Sequence, residues 1–62
     1  MTRREQAKEE NRARICVAAQ NIIRREGIEK LTMRRLASQA GVSLRTPYNL
    51  FGSKTDVLIA LL

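Results

Sequence analysis

The chain has 62 residues, with twelve Lys and Arg against six Asp and Glu, a single Cys and no His. Below ~70 residues one core seldom supplies more than a few kcal/mol, so a single, marginally stable domain is expected; the net charge of +6 is the footprint of a chain that meets a polyanion. Lone Cys16 rules out an intrachain disulfide, and without His there is neither a partner base for a nucleophile nor a ligand set at metal-binding spacing, so no enzyme, metal site or cofactor is expected.

Residues 1–10 form a polar extension in which only Met1 and Ala7 are apolar, and Arg3, Arg4 and Lys8 mix with Glu5, Glu9 and Glu10. Thr2 to Glu5 has capping-box spacing and Glu10 stands four residues before Arg14, so a helix could start here. The preferred reading is a solvated extension. The opening MTRREQ lacks the apolar centre of a secretory leader, and no apolar run approaches the ~20 residues that span a bilayer, so a cytoplasmic location is expected.

Ile15, Ala18, Ala19, Ile22 and Ile23 recur at helical spacing and predict a scaffold helix from Asn11 to Glu26. Arg24 and Arg25 lie in its last turn, opposite the negative end of the helix dipole, and are read as a solvated helix end in preference to phosphate contacts. Gly27 offers a left-handed terminus, after which Ile28 packs back on Ile23. Cys16 reads as a small residue beside the core.

Met33, Leu36, Ala37 and Ala40 predict a second, shorter helix. Thr32 suits its N-cap, and Leu31 staples onto Leu36. Gly41 can close the helix in the left-handed conformation, Val42 folds back onto the apolar face, and Ser43 can cap the next helix. Ala37 is small enough for that helix to cross close by. Stop, turn and restart within Gly41, Val42 and Ser43 make the hinge of a helix-turn-helix, and hence a DNA-binding module. The third helix has two possible starts. One lies near Ser43. The other takes Thr46 as N-cap and Pro47 as first helical residue, leaving Pro47 to Phe51, because proline lacks an N–H and pushes the preceding residue from helical angles.

Gly52 breaks the chain, Ser53 caps a fourth helix running to Leu62, and Asp56 suits its first turn. From Val57 onward every residue is apolar, a pattern that requires cover on more than one side.

These residues resemble the tetracycline-repressor (TetR) family of bacterial transcriptional regulators. The resemblance lies in Leu36-Ala37, Ala40-Gly41-Val42-Ser43, Thr46, Tyr48, Phe51, Lys54 and Leu58, and reaches back through Ile15, Ala18-Ala19 and Gly27, covering roughly residues 12 to 62. Pro47 stands where the family usually carries Leu or Ile, and Leu50 where it usually carries His or Tyr near a phosphate. The resemblance implies an all-α fold: a three-helix, homeodomain-like helix-turn-helix domain over residues 11–52 and the start of a fourth helix over 53–62. In the family that helix leads to a larger helical domain that binds a small effector and dimerises, so the chain is read as the N-terminal piece of a longer, homodimeric regulator, a repressor acting on operator DNA.

In a helix-turn-helix the start of the second helix faces base edges in the major groove, which makes Leu44, Arg45, Thr46 and Asn49 the candidates. Arg45 can donate twice to guanine, Thr46 can bond a base or touch a thymine methyl, and Asn49 can pair bidentately with adenine. Leu44 either touches a thymine methyl or packs. By position, the resemblance gives Arg34 a base contact, Thr32 and Lys54 phosphate contacts, and Tyr48 a phosphate or base contact. Tyr48 could instead be core, three residues before Phe51, which is taken as core. Arg3 and Arg4 are candidates for an arm along the DNA backbone or minor groove. The alternative reading is a basic amphipathic module for membranes or a partner helix; RNA is disfavoured because Tyr48 and Phe51 alone cannot build a stacking platform.

Overall fold

The computed structural model describes residues 3–62, with side chains from Gln6 onward. Thr2 of the expected capping box therefore lies outside the described residues, as do the side chains of Arg3 and Arg4.

Four α-helices follow in order: α1 Arg3–Glu26, α2 Met33–Ala40, α3 Arg45–Phe51 and α4 Lys54–Ala60, with a 3₁₀ turn at Ile28–Lys30 between the first two. The first helix begins at Arg3, well before Asn11, so the early start that the spacing allowed is the one formed over the described part of the polar extension. The physical reason is cooperative: a helix nucleated against the core at Ile15 propagates cheaply through Arg, Glu, Gln, Ala and Lys, all good helix formers. Its projecting turns stay solvated, since Gln6 to Glu10 are exposed. The Glu10–Arg14 pairing expected from spacing is not among the ion pairs of the described residues; both side chains are exposed.

The end of α1 also differs from expectation. Gly27 has positive φ but an extended ψ (93°, 159°), so it turns the chain outward and does not close a left-handed cap. Ile28 is half exposed. The residue that enters the core is Leu31, three positions on, which is fully buried. Thr32 then caps α2 as expected, its Oγ1 accepting from the backbone N–H of Arg35 at 3.1 Å.

The core is small and apolar. Ile15, Ala18, Ala19 and Ile22 of α1 meet Leu31, Met33, Leu36 and Val57, and no polar or charged residue is buried among the described side chains. Full burial of an Ile or Leu side chain contributes about 1.5–3 kcal/mol, so few residues carry the fold. Phe51, taken as core, sits at its edge: it is only half-buried and packs beside Leu50, Leu58 and Leu61. The apolar run of α4 turns Val57 inward but leaves Ile59 59% exposed, and the helix ends at Ala60 before Leu62. The cover expected for its outer side is not supplied by the described residues.

One ion pair ties the end of α1 to the first turn of α2. Arg35 grips Glu26 with both arms, Nη1 donating to Oε1 at 2.9 Å and Nη2 to Oε2. The fork geometry gives the contact direction, although both groups are about a third exposed (36% and 37%) and solvent screens the pair. The hydrogen bond from Arg35 is the main reason the Glu26 carboxyl is held below its ordinary value; partial desolvation opposes this, and the charges of Arg35, Lys30 and Arg25 add to it.

Two outcomes are expected. Leu36→Ala should cost about 2–5 kcal/mol, comparable to the whole stability of a domain this size, and abolish the cooperative thermal transition seen by circular dichroism, whereas Ile59→Ala should leave it nearly unchanged. A carboxyl with a lowered pKa contributes stability that is present above its unfolded value and lost as pH falls through the folded one. Carbon-detected NMR titration should therefore place the Glu26 carboxyl below the ordinary glutamate value, and Arg35→Gln should return it toward that value. An unshifted Glu26 in the parent chain would contradict the ion pair.

Candidate nucleic-acid interface

The hinge forms as its residues dictate. Gly41 takes the left-handed conformation (φ 71°, ψ 33°), and the N–H of Val42 reaches back to the carbonyl of Ala37 at 3.0 Å, closing α2 with a six-residue loop. Val42 is half-buried and anchors the turn. Ala37, buried on α2, has no bulk to hold the next helix away.

The start of α3 lies near Ser43, the first of the two expected places: the helix begins at Arg45, with Leu44 already helical (φ −59°, ψ −27°). The Ser43 hydroxyl does not cap it, and the alternative start with Thr46 as cap before Pro47 is not the one formed. Pro47 is the third helical residue, where its missing N–H is one of the donors an α-helix leaves free anyway. The carbonyl of Ser43, denied a donor at residue 47, accepts instead from the N–H of Thr46 at 3.0 Å. The first turn is thus tightened to a 3₁₀ bond, and the hydroxyls of Ser43 and Thr46 share a hydrogen bond at 3.2 Å. The proline ring itself is fully buried, so it acts as a core residue as well as a helix starter.

Residues of α3 separate into two stripes. Pro47 is buried and Thr46, Leu50 and Phe51 are half-buried, while Leu44, Arg45, Tyr48 and Asn49 are exposed. Tyr48, half exposed, is therefore not core; its phenol stands in solvent beside Asn49 and Arg45 on one helical face. Thr46 lies at the border between the stripes.

The remaining expected site residues lie at the starts of the two neighbouring helices. Thr32 and Arg34 are exposed at the first turn of α2, Lys54 is half-buried at the first turn of α4. The two helix starts differ electrically. The first turn of α2 contains no acid, and Arg35 in it is occupied by Glu26, leaving Arg34 as its free cation. The first turn of α4 carries Asp56, whose N–H and carboxylate both engage Ser53 Oγ (3.3 and 2.8 Å). The charge these positions present comes from the guanidinium groups of Arg34 and Arg45 and the ammonium group of Lys54.

Sequence reasoning missed one contact at this site. Arg12 of α1 donates from Nη1 to the carbonyl of Leu50 at 3.2 Å, and its guanidinium lies over the Phe51 ring, 4.7 Å from the centroid. No periodicity links positions 38 residues apart, so the pattern of the chain carries no signal for it.

No described helix is long and apolar enough to cross a membrane. Residues 15–61 match the family model for bacterial regulatory proteins, tetR family. No curated protein and no solved structure matches the chain.

Proposed function

The chain belongs to the tetR family of bacterial regulatory proteins, and from that premise we propose that it is the operator-reading part of a cytoplasmic transcriptional repressor. Membership makes it a DNA-binding helix-turn-helix domain of a transcription regulator, in a family of regulators and not of enzymes. The finer reading concerns how it binds.

The observation that carries this reading is the exposed stripe of α3. Arg45 and Asn49 stand one helical turn apart on a face free of core contacts, so both can enter a major groove while Pro47, Leu50 and Phe51 hold the helix to the body. Arg45 donates to guanine O6 and N7, and Asn49 pairs with adenine. Leu44 meets a thymine methyl, Tyr48 reaches a phosphate or base at the groove edge, and Thr46 contributes through its hydroxyl once it leaves Ser43. Thr32 and Lys54 hold phosphates on either side, and Arg34 reaches a base from α2. Phosphate contacts fix register and base contacts read sequence.

The operator would be bound by a homodimer, each copy presenting one α3 to successive major grooves about 34–36 Å apart. Dimerisation and response to a small effector belong in this reading to a further helical domain of the regulator. No cofactor takes part in binding.

Two substitutions separate the roles in anisotropy titrations of the full-length protein over a salt series. Lys54→Ala should weaken preferred and random duplexes alike and lower the log–log salt slope by about 1, because one phosphate contact and its counterion are lost. Arg45→Ala should cost roughly 1–3 kcal/mol on the preferred duplex and much less on random DNA. Equal loss on every sequence for Arg45→Ala would make that residue a phosphate contact and remove α3 as the reading helix.

A further inference from the structure

We propose that Arg12 is a positioning residue: from α1 it latches the C-terminal end of α3 and so sets the tilt at which the exposed face of that helix meets a base pair. The proposal rests on the reading of α3 as the DNA-reading helix.

Helix α3 is only seven residues long. Its start has no side-chain cap and is held by the buried Pro47 ring and the Ser43–Thr46 bond. At the other end, the carbonyls of the last turn lack intrahelical donors. Gly52 supplies one to Tyr48 at 2.9 Å. Arg12 supplies one to Leu50 at 3.2 Å, and the same guanidinium rests on the Phe51 ring, within the ~6 Å at which a cation is held by an aromatic face. Two contacts of different kind thus converge from one side chain on the last two residues of α3. A cation at this end also opposes the helix dipole.

The placement gives leverage. Arg45 lies five residues before Leu50, ~7.5 Å along the axis at 1.5 Å per residue, so a change of tilt at the latched end displaces the Arg45 side chain. Bidentate pairing to a base edge depends on geometry held within ~0.5 Å. The guanidinium of Arg12 is engaged with α3 and not with the exposed stripe, so its effect on DNA passes through the helix.

The test compares Arg12→Ala and Arg12→Lys with the parent sequence, in the 62-residue chain for orientation and in the full-length protein for binding. Residual dipolar couplings of backbone amides report the orientation of α3 against α1 without DNA, and an array carrying every short duplex sequence reports the ratio of best-site to average binding over a salt series. Arg12→Ala is expected to reorient α3 and lower that ratio about fivefold or more, with the salt slope unchanged because no phosphate contact is lost. Arg12→Lys, which keeps a donor and the charge, should retain most of the ratio. Should Arg12→Ala fail to fold by circular dichroism, Arg12→Gln takes its place with the same expected direction. An unchanged orientation of α3 overturns the latch, and so does a salt slope reduced by about 1, the mark of a direct phosphate contact. A full-length parent that binds every sequence equally would remove the base-reading function instead, and the dipolar couplings would still decide the role of Arg12.

Discussion

Burial of one stripe of α1 is the interaction on which the other three helices depend. Ile15, Ala18, Ala19 and Ile22 present two small side chains between two large ones along the helix, and α2, α3, α4 and the intervening turn all contact this helix. The alanines matter as much as the isoleucines. They let partner helices approach closely, and a domain this small has no second layer to fill a gap left by bulkier packing. Because every element leans on the same wall, the hinge and α3 are oriented by α1 and not by contacts with each other alone.

The parts of this fold legible in the chain are those specified by local chemistry. Thr32 and Ser53 cap helices because a hydroxyl one residue before a helix finds a free N–H three positions on. Gly41 closes α2 because a left-handed turn carries little cost without a Cβ. The inward and outward stripes of α2 follow from spacing, with Leu36 and Ala37 buried while Arg34 and Ser38 are exposed. The family signature at Ala40-Gly41-Val42-Ser43 is this same local chemistry written as a motif.

What resisted reading depends on tertiary context or on competition between local rules. The early start of α1 is cooperative extension from a nucleus that tertiary burial supplies, so composition alone left it balanced against a solvated coil. Gly27 offered two glycine conformations; the extended one won because it delivers Leu31, not Ile28, to the core. At Pro47 two rules conflicted. Proline disfavours helical angles in the residue before it, which argued for a Thr46 cap, yet Thr46 is helical and Pro47 is third in the helix. Burial of the ring and the substitute bond from Thr46 to Ser43 offset that local preference. The Glu26–Arg35 and Arg12–Leu50 contacts cross between elements and carry no sequence periodicity.

These same non-local contacts sort the basic residues into different jobs, which net charge cannot do. Arg34 and Arg35 are neighbours of identical chemistry, but Arg35 is neutralised by Glu26 while Arg34 stays exposed. Arg12 spends its donor on a helix end and its face on a ring, whereas Arg45 keeps both for solvent. A carboxylate, a carbonyl and an aromatic ring in the right places thus withdraw two guanidinium groups from the pool facing a polyanion. The general field of +6 still draws a duplex in from a distance, but at contact the positive groups left exposed on α2 and α3 are Arg34 and Arg45. Each cation engaged within the protein is one fewer for the sequence-independent attraction of a polyanion, which scales with the number of phosphates neutralised, and Arg45 is left exposed with its fork unengaged by other described side chains. The Glu26 carboxylate on Arg35 and the Leu50 carbonyl and Phe51 ring on Arg12 therefore act in one direction, toward fewer cations left to solvent alone.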